Sequence, residues 1–348
     1  MDRCDLLQGF LETNGFDPSD LIPVAGDASN RRYFRLSSQN LIIMDAPPDK
    51  GEDVGPFIAI TEWLRAKNKS APEVLASDPD LGFLALEDFG DGLFARLCHH
   101  YPECEFELYE SAVDVLVELS QEIVPSRLEA AGQPYTLCPY DETVLVSEAN
   151  LFIEWYLSGA SGWPVAKDAF AEFRDLILDV IRPIASTCDV LVLRDYHAEN
   201  LIWLPERSGT ARTGLLDYQD ALAGHSAYDL VSLLEDARRD TSPDLQAAMV
   251  RRYLDRTGIN ADELHVAYAT LGAQRNLKII GIFSRLCMRD GKRRYPDLIP
   301  RVWGHLMRDL GHPQLAKLTA WIAKHAPEPE ARVLDVIRNR SMKAEQAR

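Results

Sequence analysis

Val190-Leu-Val-Leu-Arg-Asp-Tyr-His-Ala-Glu-Asn-Leu-Ile-Trp203, followed after a turn by Gly214-Leu-Leu-Asp-Tyr-Gln-Asp220, decides how the rest of the chain is read. Its apolar runs, Val190 to Leu193, Leu201 to Trp203 and Gly214 to Leu216, have the length and composition of short buried strands. Each adjoins a residue with a hard oxygen donor. Asp195 opens the loop after the first run, Asn200 stands at the end of that loop, and Asp217 follows the third run. Taken singly, an Asp or Asn at a strand end is usually a turn former that bonds its own backbone. Together and in this order they match what phosphoryl transfer needs: a carboxylate to accept a hydroxyl proton, and an amide with a second carboxylate to hold Mg²⁺ against nucleotide phosphates. Asp195 is therefore the expected general base, and Asn200 and Asp217 the expected metal ligands.

Composition bounds the partners. A chain of 348 residues is long for one small core and suits two lobes, and its 46% apolar and 26% charged residues are ordinary for a globular protein. The net charge of -17, with a pI near 4.9, argues against a nucleic-acid or anionic-membrane binder, because the summed field repels phosphate polymers. Cys4, Cys98, Cys104, Cys138, Cys188 and Cys287 form no Cys-x-x-Cys pair, so neither a zinc site nor a disulfide framework is expected. The N-terminus lacks the basic start and apolar core of a signal peptide, and no apolar run approaches a membrane span. The expectation is a reduced, cytoplasmic protein with a small-molecule substrate, no nucleic acid and no membrane. The oligomeric state is left open.

Upstream of the loop, Leu6, Leu7, Phe10 and Leu11 recur at helical spacing, and Asn14-Gly15 supplies a stop. Leu21 to Val24, a turn at 25–30 and Arg32 to Leu36 read as strand, turn, strand. The small residues of that turn, with Asp27, Ala28 and Ser29 at its centre, let backbone N–H groups approach phosphates, and Arg31 and Arg32 follow at once. Leu41 to Met44 is the next strand. Phe57, Ile60 and Leu64 mark a helix over about 56–67, with Glu62 on its solvated side. The apolar run from Leu81 ends in Glu87-Asp-Phe-Gly-Asp-Gly92, which suits a connection between lobes whose backbone bonds an adenine edge. Glu87 and Phe89 are its candidate nucleotide contacts.

Downstream the pattern is helical. Tyr109 to Ile123 carries a core stripe, residues 125–139 read as a loop, 140–157 as a helix with Glu154 placed to reach a ligand, and 170–182 as an amphipathic helix closed at Pro183. Asp229, at the entry to a further helix, is expected to lock the loop around Asp195 by hydrogen bonds. Between Leu271 and Leu310 the charge balance reverses, with nine Lys or Arg against three Asp and no Glu. This basic stretch is either a solvated face that neutralises the acidic body or the wall of a pocket for an anionic or acyl-bearing substrate. Arg275 and Asn276 are its candidate substrate donors. Gly281, in mid-helix, costs about 1 kcal/mol against alanine, which calls for a close approach there.

The blocks Gly26-Asp-Ala-Ser-Asn-Arg-Arg-Tyr-Phe-Arg35, Ile43-Met-Asp-Ala-Pro-Pro48, Leu86-Glu-Asp-Phe-Gly-Asp91, Arg194-Asp-Tyr-His-Ala-Glu-Asn200 and Leu271-Gly-Ala-Gln-Arg-Asn-Leu-Lys-Ile-Ile-Gly-Ile-Phe283 together resemble the aminoglycoside phosphotransferase family. Within it the chain looks like the branch of anomeric N-acetylmuramate and N-acetylglucosamine kinases. The resemblance implies an α+β, bilobal protein-kinase-like fold: an antiparallel-sheet nucleotide lobe over 1–90, a connection at 87–92, and a mainly helical catalytic and substrate lobe over 91–348. It implies ATP and Mg²⁺ as cofactors and a C1-phosphorylated sugar, returned toward peptidoglycan precursors, as product. His197 stands two residues after the base and joins the substrate candidates. Two departures stand out. Leu193 occupies the place of the family's histidine before the base, and Met44 the place of the strand-3 lysine that pairs with the α- and β-phosphates. Arg31 or Arg32 is the expected replacement cation, since a guanidinium fork can hold phosphate oxygens in pairs. Two other readings stay open: a kinase of another small alcohol or an aminoglycoside, and a non-catalytic nucleotide-binding scaffold.

Overall fold

The structure, a computed structural model, describes residues 2–24, 30–161, 165–188 and 190–346, with 341–346 described by backbone alone. The turn residues Asp27, Ala28 and Ser29 lie outside the described residues.

Helix α1 (Arg3–Thr13) starts in a capping box between Asp2 and Asp5 and ends at Asn14. Its Leu7, Phe10 and Leu11 are buried against Leu36, Leu41, Ile43, Phe83 and Ala85, with the rings of Phe10 and Phe83 stacked 5.5 Å apart. Those partners lie on an antiparallel sheet of β1 (Leu21–Val24), β2 (Arg32–Leu36), β3 (Leu41–Asp45), β4 (Val74–Asp78) and β5 (Phe83–Glu87), ordered β1-β2-β3-β5-β4. In the β2–β3 register Arg32 faces Asp45 and Tyr33 faces Met44. Between β3 and β4 lies α2 (Gly55–Ala66), whose Thr61 and Phe57 reach Tyr218: hydroxyl to hydroxyl at 2.7 Å, and ring on ring at 5.1 Å.

The chain continues through α3 (Phe94–His100) and α4 (Glu105–Ser120). The stretch expected to be a loop then contains a hairpin, β6 (Arg127–Ala130) and β7 (Gln133–Thr136), turned at Ala131 and Gly132, both with positive φ. Its strands are short and mostly exposed, and β7 contains Pro134, so alternation of apolar residues did not announce it. The helix expected over 140–157 is α5 (Glu142–Leu151) followed by a wider π-helical turn, Phe152–Leu157, and the short α6 (Ser158–Ser161). Helix α7 (Lys167–Ala185) runs past the expected stop and contains Pro183 in its last turn, where Asp179, four residues back, is exposed to solvent.

Then come β8 (Val190–Val192), β9 (Leu201–Trp203), β10 (Thr213–Leu215), β11 (Leu222–Gly224), α8 (Ala227–Leu234), α9 (Pro243–Thr257), α10 (Ala261–Met288), α11 (Ile299–Asp309), α12 (Ala316–His325) and α13 (Ala331–Gln346). Strands β9 and β10 pair antiparallel, as do β8 and β11. The whole is α+β, with its antiparallel sheet near the N-terminus and a mostly helical remainder. Among the described residues no helix is long and apolar enough to cross a membrane.

Contacts divide the chain into two compact units. One holds 1–115, 125–137 and 198–221; the other holds 116–124, 138–197 and 222–348. Residues 87–92 lie inside the first. In the second, α10 is the central element and is buried along most of its length. Gly281 sits where a Cβ would come within 2.4 Å of the Leu151 carbonyl carbon, which is the close approach its position in mid-helix calls for.

Candidate active site

In the second unit the loop that carries Asp195, the expected base, leaves β8 and is fastened at once. The carboxylate of Asp229 on α8 accepts the backbone N–H of Leu193 at 2.6 Å and that of Arg194 at 2.9 Å. Ser232, one turn along α8, donates its hydroxyl to the Arg194 carbonyl at 3.1 Å. Arg194 itself takes φ +70°, a left-handed conformation that few non-glycine residues adopt outside constrained sites. Burial pushes the Asp229 carboxyl up to about 7 even though the two N–H groups pull it down. Asp195 emerges exposed, its N–H donating to the Leu193 carbonyl at 2.8 Å.

The side chain of Arg194 turns away from Asp195. It pairs with Glu148 on α5 and lies 5.4 Å from the Tyr140 ring centre. Lys278 on α10 reaches the same carboxylate at 3.0 Å. Burial drives the Glu148 carboxyl up, but Lys278, Arg194 and the Tyr140 hydroxyl outweigh it and hold the group below its ordinary value. A buried carboxylate between two cations thus ties α5, the loop and α10 together.

The first unit holds the other expected ligands. Asn200 closes a short turn before β9, and Asp217 follows β10 with φ +57°. The Leu216 N–H donates to the Asn200 carbonyl at 2.9 Å, and the two side chains meet, Nδ2 to Oδ2, at 3.4 Å. Gln219 donates to the other Asp217 oxygen at 2.8 Å. The amide oxygen of Asn200 and the exposed carboxylate of Asp217, on side chains that touch, are hard donors of the kind Mg²⁺ takes when phosphates supply the rest of its shell. The residues therefore fit the ion.

Strand alternation separates the two candidate arginines. Arg31 shares its face with Tyr33, which sits across from Met44; Arg32 points to the opposite face. There Arg32 pairs with the buried carboxylate of Asp45, which also takes Arg3 of α1 at 2.6 Å. Arg31 forms an ion pair with Glu52 at 2.8 Å. The Tyr33 hydroxyl is pushed up to about 12, first by burial and next by Asp217, while Arg31 pulls it down. Arg31 and Asp217 therefore bear on the same phenol, on the face where the family's lysine would stand.

The connection at 87–92 is held against the β9–β10 hairpin. Glu87 pairs with Arg207, whose guanidinium lies 4.9 Å from the Phe89 ring centre. Gly214 leaves the room that ring needs, since a Cβ there would come within 2.8 Å of it. Trp203 donates its N–H to the Gly92 carbonyl at 2.7 Å.

The expected substrate residues are dispersed within the second unit. Glu154 is exposed on the π-helical turn, and His197 is buried behind the loop. Arg275 is buried and donates to the Glu235 carbonyl at 3.2 Å. Asn276 is wholly buried, its amide donating to Glu235 at 2.7 Å and Asp309 at 2.9 Å. Sequence reasoning missed Glu52, Glu148 and Arg238. Each acts through a partner distant in the chain, so spacing carried no sign of it; Tyr33, two residues after Arg31, was legible from alternation alone.

The model of the phosphotransferase enzyme family matches residues 20–266. This chain belongs to that family. The phosphotransferase is similar to an N-acetylmuramate/N-acetylglucosamine kinase of Caulobacter vibrioides, 38% identical over 91% of this chain and 95% of the relative. It is also similar to one of the same name from Pseudomonas aeruginosa, 36% identical over 90% and 91%. Among solved structures, a choline/ethanolamine kinase family protein from Mesorhizobium loti covers 97% of the phosphotransferase and all of its own chain, with a TM-score of 0.58 at 12% identity. An ADP-bound aminoglycoside phosphotransferase covers 87% and 96%, with a TM-score of 0.57 at 15% identity. At such identities the structures speak to the protein-kinase-like fold alone.

Proposed function

We propose that this phosphotransferase is an ATP-dependent sugar kinase that phosphorylates the anomeric C1 hydroxyl of N-acetylmuramate and N-acetylglucosamine, giving the 1-phosphates. The acceptor pair rests on the likeness to two relatives that carry it in their names, over nine-tenths of the chain or more. The chemistry rests on Asp195, Asn200 and Asp217.

In this reading Asp195 accepts the proton of the C1 hydroxyl as its oxygen bonds to the γ-phosphorus and the bond from that phosphorus to the β,γ-bridging oxygen breaks, releasing ADP. The ring oxygen withdraws charge from C1 and makes this hydroxyl more acidic than other sugar hydroxyls, so an exposed carboxylate is base enough. Asn200 and Asp217 hold Mg²⁺, which when bound neutralises charge on the nucleotide phosphates. Arg31, steadied by Glu52, takes the part of the missing lysine. The backbone N–H groups of Asp27, Ala28 and Ser29 serve the phosphates, and Glu87 and Phe89 serve the adenine from within the first unit. Glu154, exposed on its turn, is the candidate that can meet the sugar directly; His197, Arg275 and Asn276 are buried and serve the acceptor side through the segments they hold.

The test is an acceptor panel with ATP and Mg²⁺, the position of phosphate read by ³¹P NMR. Anomeric phosphate on both N-acetyl sugars is expected. Glucose consumed as fast as N-acetylglucosamine contradicts an acetamido-reading site, and transfer only to aminoglycosides or amino alcohols overturns the proposal.

A further inference from the structure

Asp229 and Ser232 fasten the base-bearing loop on the side that precedes Asp195. The segment after α8, residues 235–240, reaches the other side. It is anchored at both ends. At the first, Arg275 donates to the Glu235 carbonyl and Asn276 divides its amide between Glu235 and Asp309. Burial and the nearby Glu235 lift the Asp309 carboxyl well above its ordinary value. At the far end Arg301 of α11 grips Asp240 at 2.6 and 3.1 Å and the Ala237 carbonyl at 3.2 Å. Between the anchors, Asp236 accepts the N–H of Arg238 at 2.7 Å, a local turn that fixes where Arg238 departs.

Arg238 ends at His197, with Nη1 3.3 Å from Nε2. An arginine can only donate, so Nε2 is the acceptor and the imidazole carries its proton on Nδ1. The ring is 5% exposed, and burial, with Arg238 and Arg275 adding to it, lowers its basicity against the pull of Asp236 and Asp195. His197 stands two residues after Asp195, and its own N–H donates to the Asp195 carbonyl at 3.2 Å. The orientation of this ring and the backbone of the base are parts of one turn. The neighbouring cations are directed elsewhere: Arg194 and Lys278 to Glu148, Arg275 to Glu235.

We propose that Arg238 is a positioning residue: by holding His197 in one tautomer and one orientation, it sets the turn that aims the Asp195 carboxylate. This rests on the reading of Asp195 as general base. A misplacement of the reacting groups by about 1 Å can cost on the order of 10²-fold in rate, so a loss of about 10- to 100-fold follows from releasing the ring.

The test compares the full chain with R238A, R238K, H197Q and the R238A/H197Q pair, with R238Q replacing R238A should the latter not fold. Turnover with ATP is measured on both N-acetyl sugars, and ¹⁵N-histidine NMR reads the tautomer of His197. The expected result is a kcat lower by about 10- to 100-fold on both acceptors, KM for ATP within about threefold, partial recovery in R238K, and a double variant no worse than the poorer single one. The wild-type ring should show Nδ1–H alone and the R238A ring a mixture. Losses that multiply in the double variant overturn the proposal, as does an unchanged tautomer in R238A. A loss confined to N-acetylmuramate also overturns it, since Arg238 would then read that sugar's carboxylate. Should the wild type phosphorylate neither sugar, the acceptor assignment fails and the NMR comparison still decides the role of Arg238.

Discussion

Arg31 and Glu52 are ion-paired at 2.8 Å, each side chain only 13% exposed, on the face of the sheet that carries Tyr33 and Met44. In the proposed function this pair stands in for the strand-3 lysine and its carboxylate, the cation coming from the residue just before β2.

Arg31→Ala should therefore raise KM for ATP or lower kcat by about tenfold or more, since a charge-assisted contact is worth about 1.5–3 kcal/mol. Arg32→Ala should leave kinetics within about twofold and instead lower stability by roughly 1 kcal/mol, because Arg3 still pairs with Asp45. Steady-state kinetics and urea melts check the pair of outcomes. Equal kinetic effects at 31 and 32 would remove the distinction drawn from strand alternation.

Asp195→Asn should keep nucleotide binding and lose turnover by about 10² to 10⁴. Asp217→Asn should behave differently, with activity partly restored at higher Mg²⁺, because a carboxylate is the stronger of two ligand types for a hard cation. Calorimetric ADP titration and rate against Mg²⁺ concentration separate the two roles. A nearly wild-type rate in Asp195→Asn ends the proposal that it is the base.

His305, on α11, is 7% exposed, and burial with the neighbouring Arg308 lowers it from 6.5 to about 4. A base whose folded value is depressed contributes stability that is present above 6.5 and fades as pH falls toward 4. The whole effect is at most about 3 kcal/mol. His305→Gln should flatten this acid limb. Urea unfolding of both chains between pH 7.5 and 4.5 measures it, and parallel pH profiles would show that His305 charges freely in the folded state.

Gly281→Ala gains up to about 1 kcal/mol of helix propensity. It also places a methyl 2.4 Å from the Leu151 carbonyl carbon, against backbone that cannot yield as a side chain can. Overpacking of this kind typically costs about 1–3 kcal/mol, so the net sign is destabilising. A midpoint at or above wild type in urea would mean that α5 can move aside.

The strands beside Asp195, Asn200 and Asp217, the opening helix and the need for a close approach at Gly281 were all determined by the sequence alone. Each depends on local spacing or on the conformational demands of one residue type. Only the tertiary structure decided where the charges of α10 go. The letters allowed a solvated face or a pocket wall, yet Arg275 and Asn276 are buried and held by Glu235, just after α8, and Asp309 of α11. The choice between Arg31 and Arg32 likewise required the register of β2 on β3, and the hairpin at 127–136 required φ values that Ala131 does not advertise. A charge in a sequence carries no record of its partner. Burial and pairing are set by segments tens of residues away, and those meet only when the chain has folded.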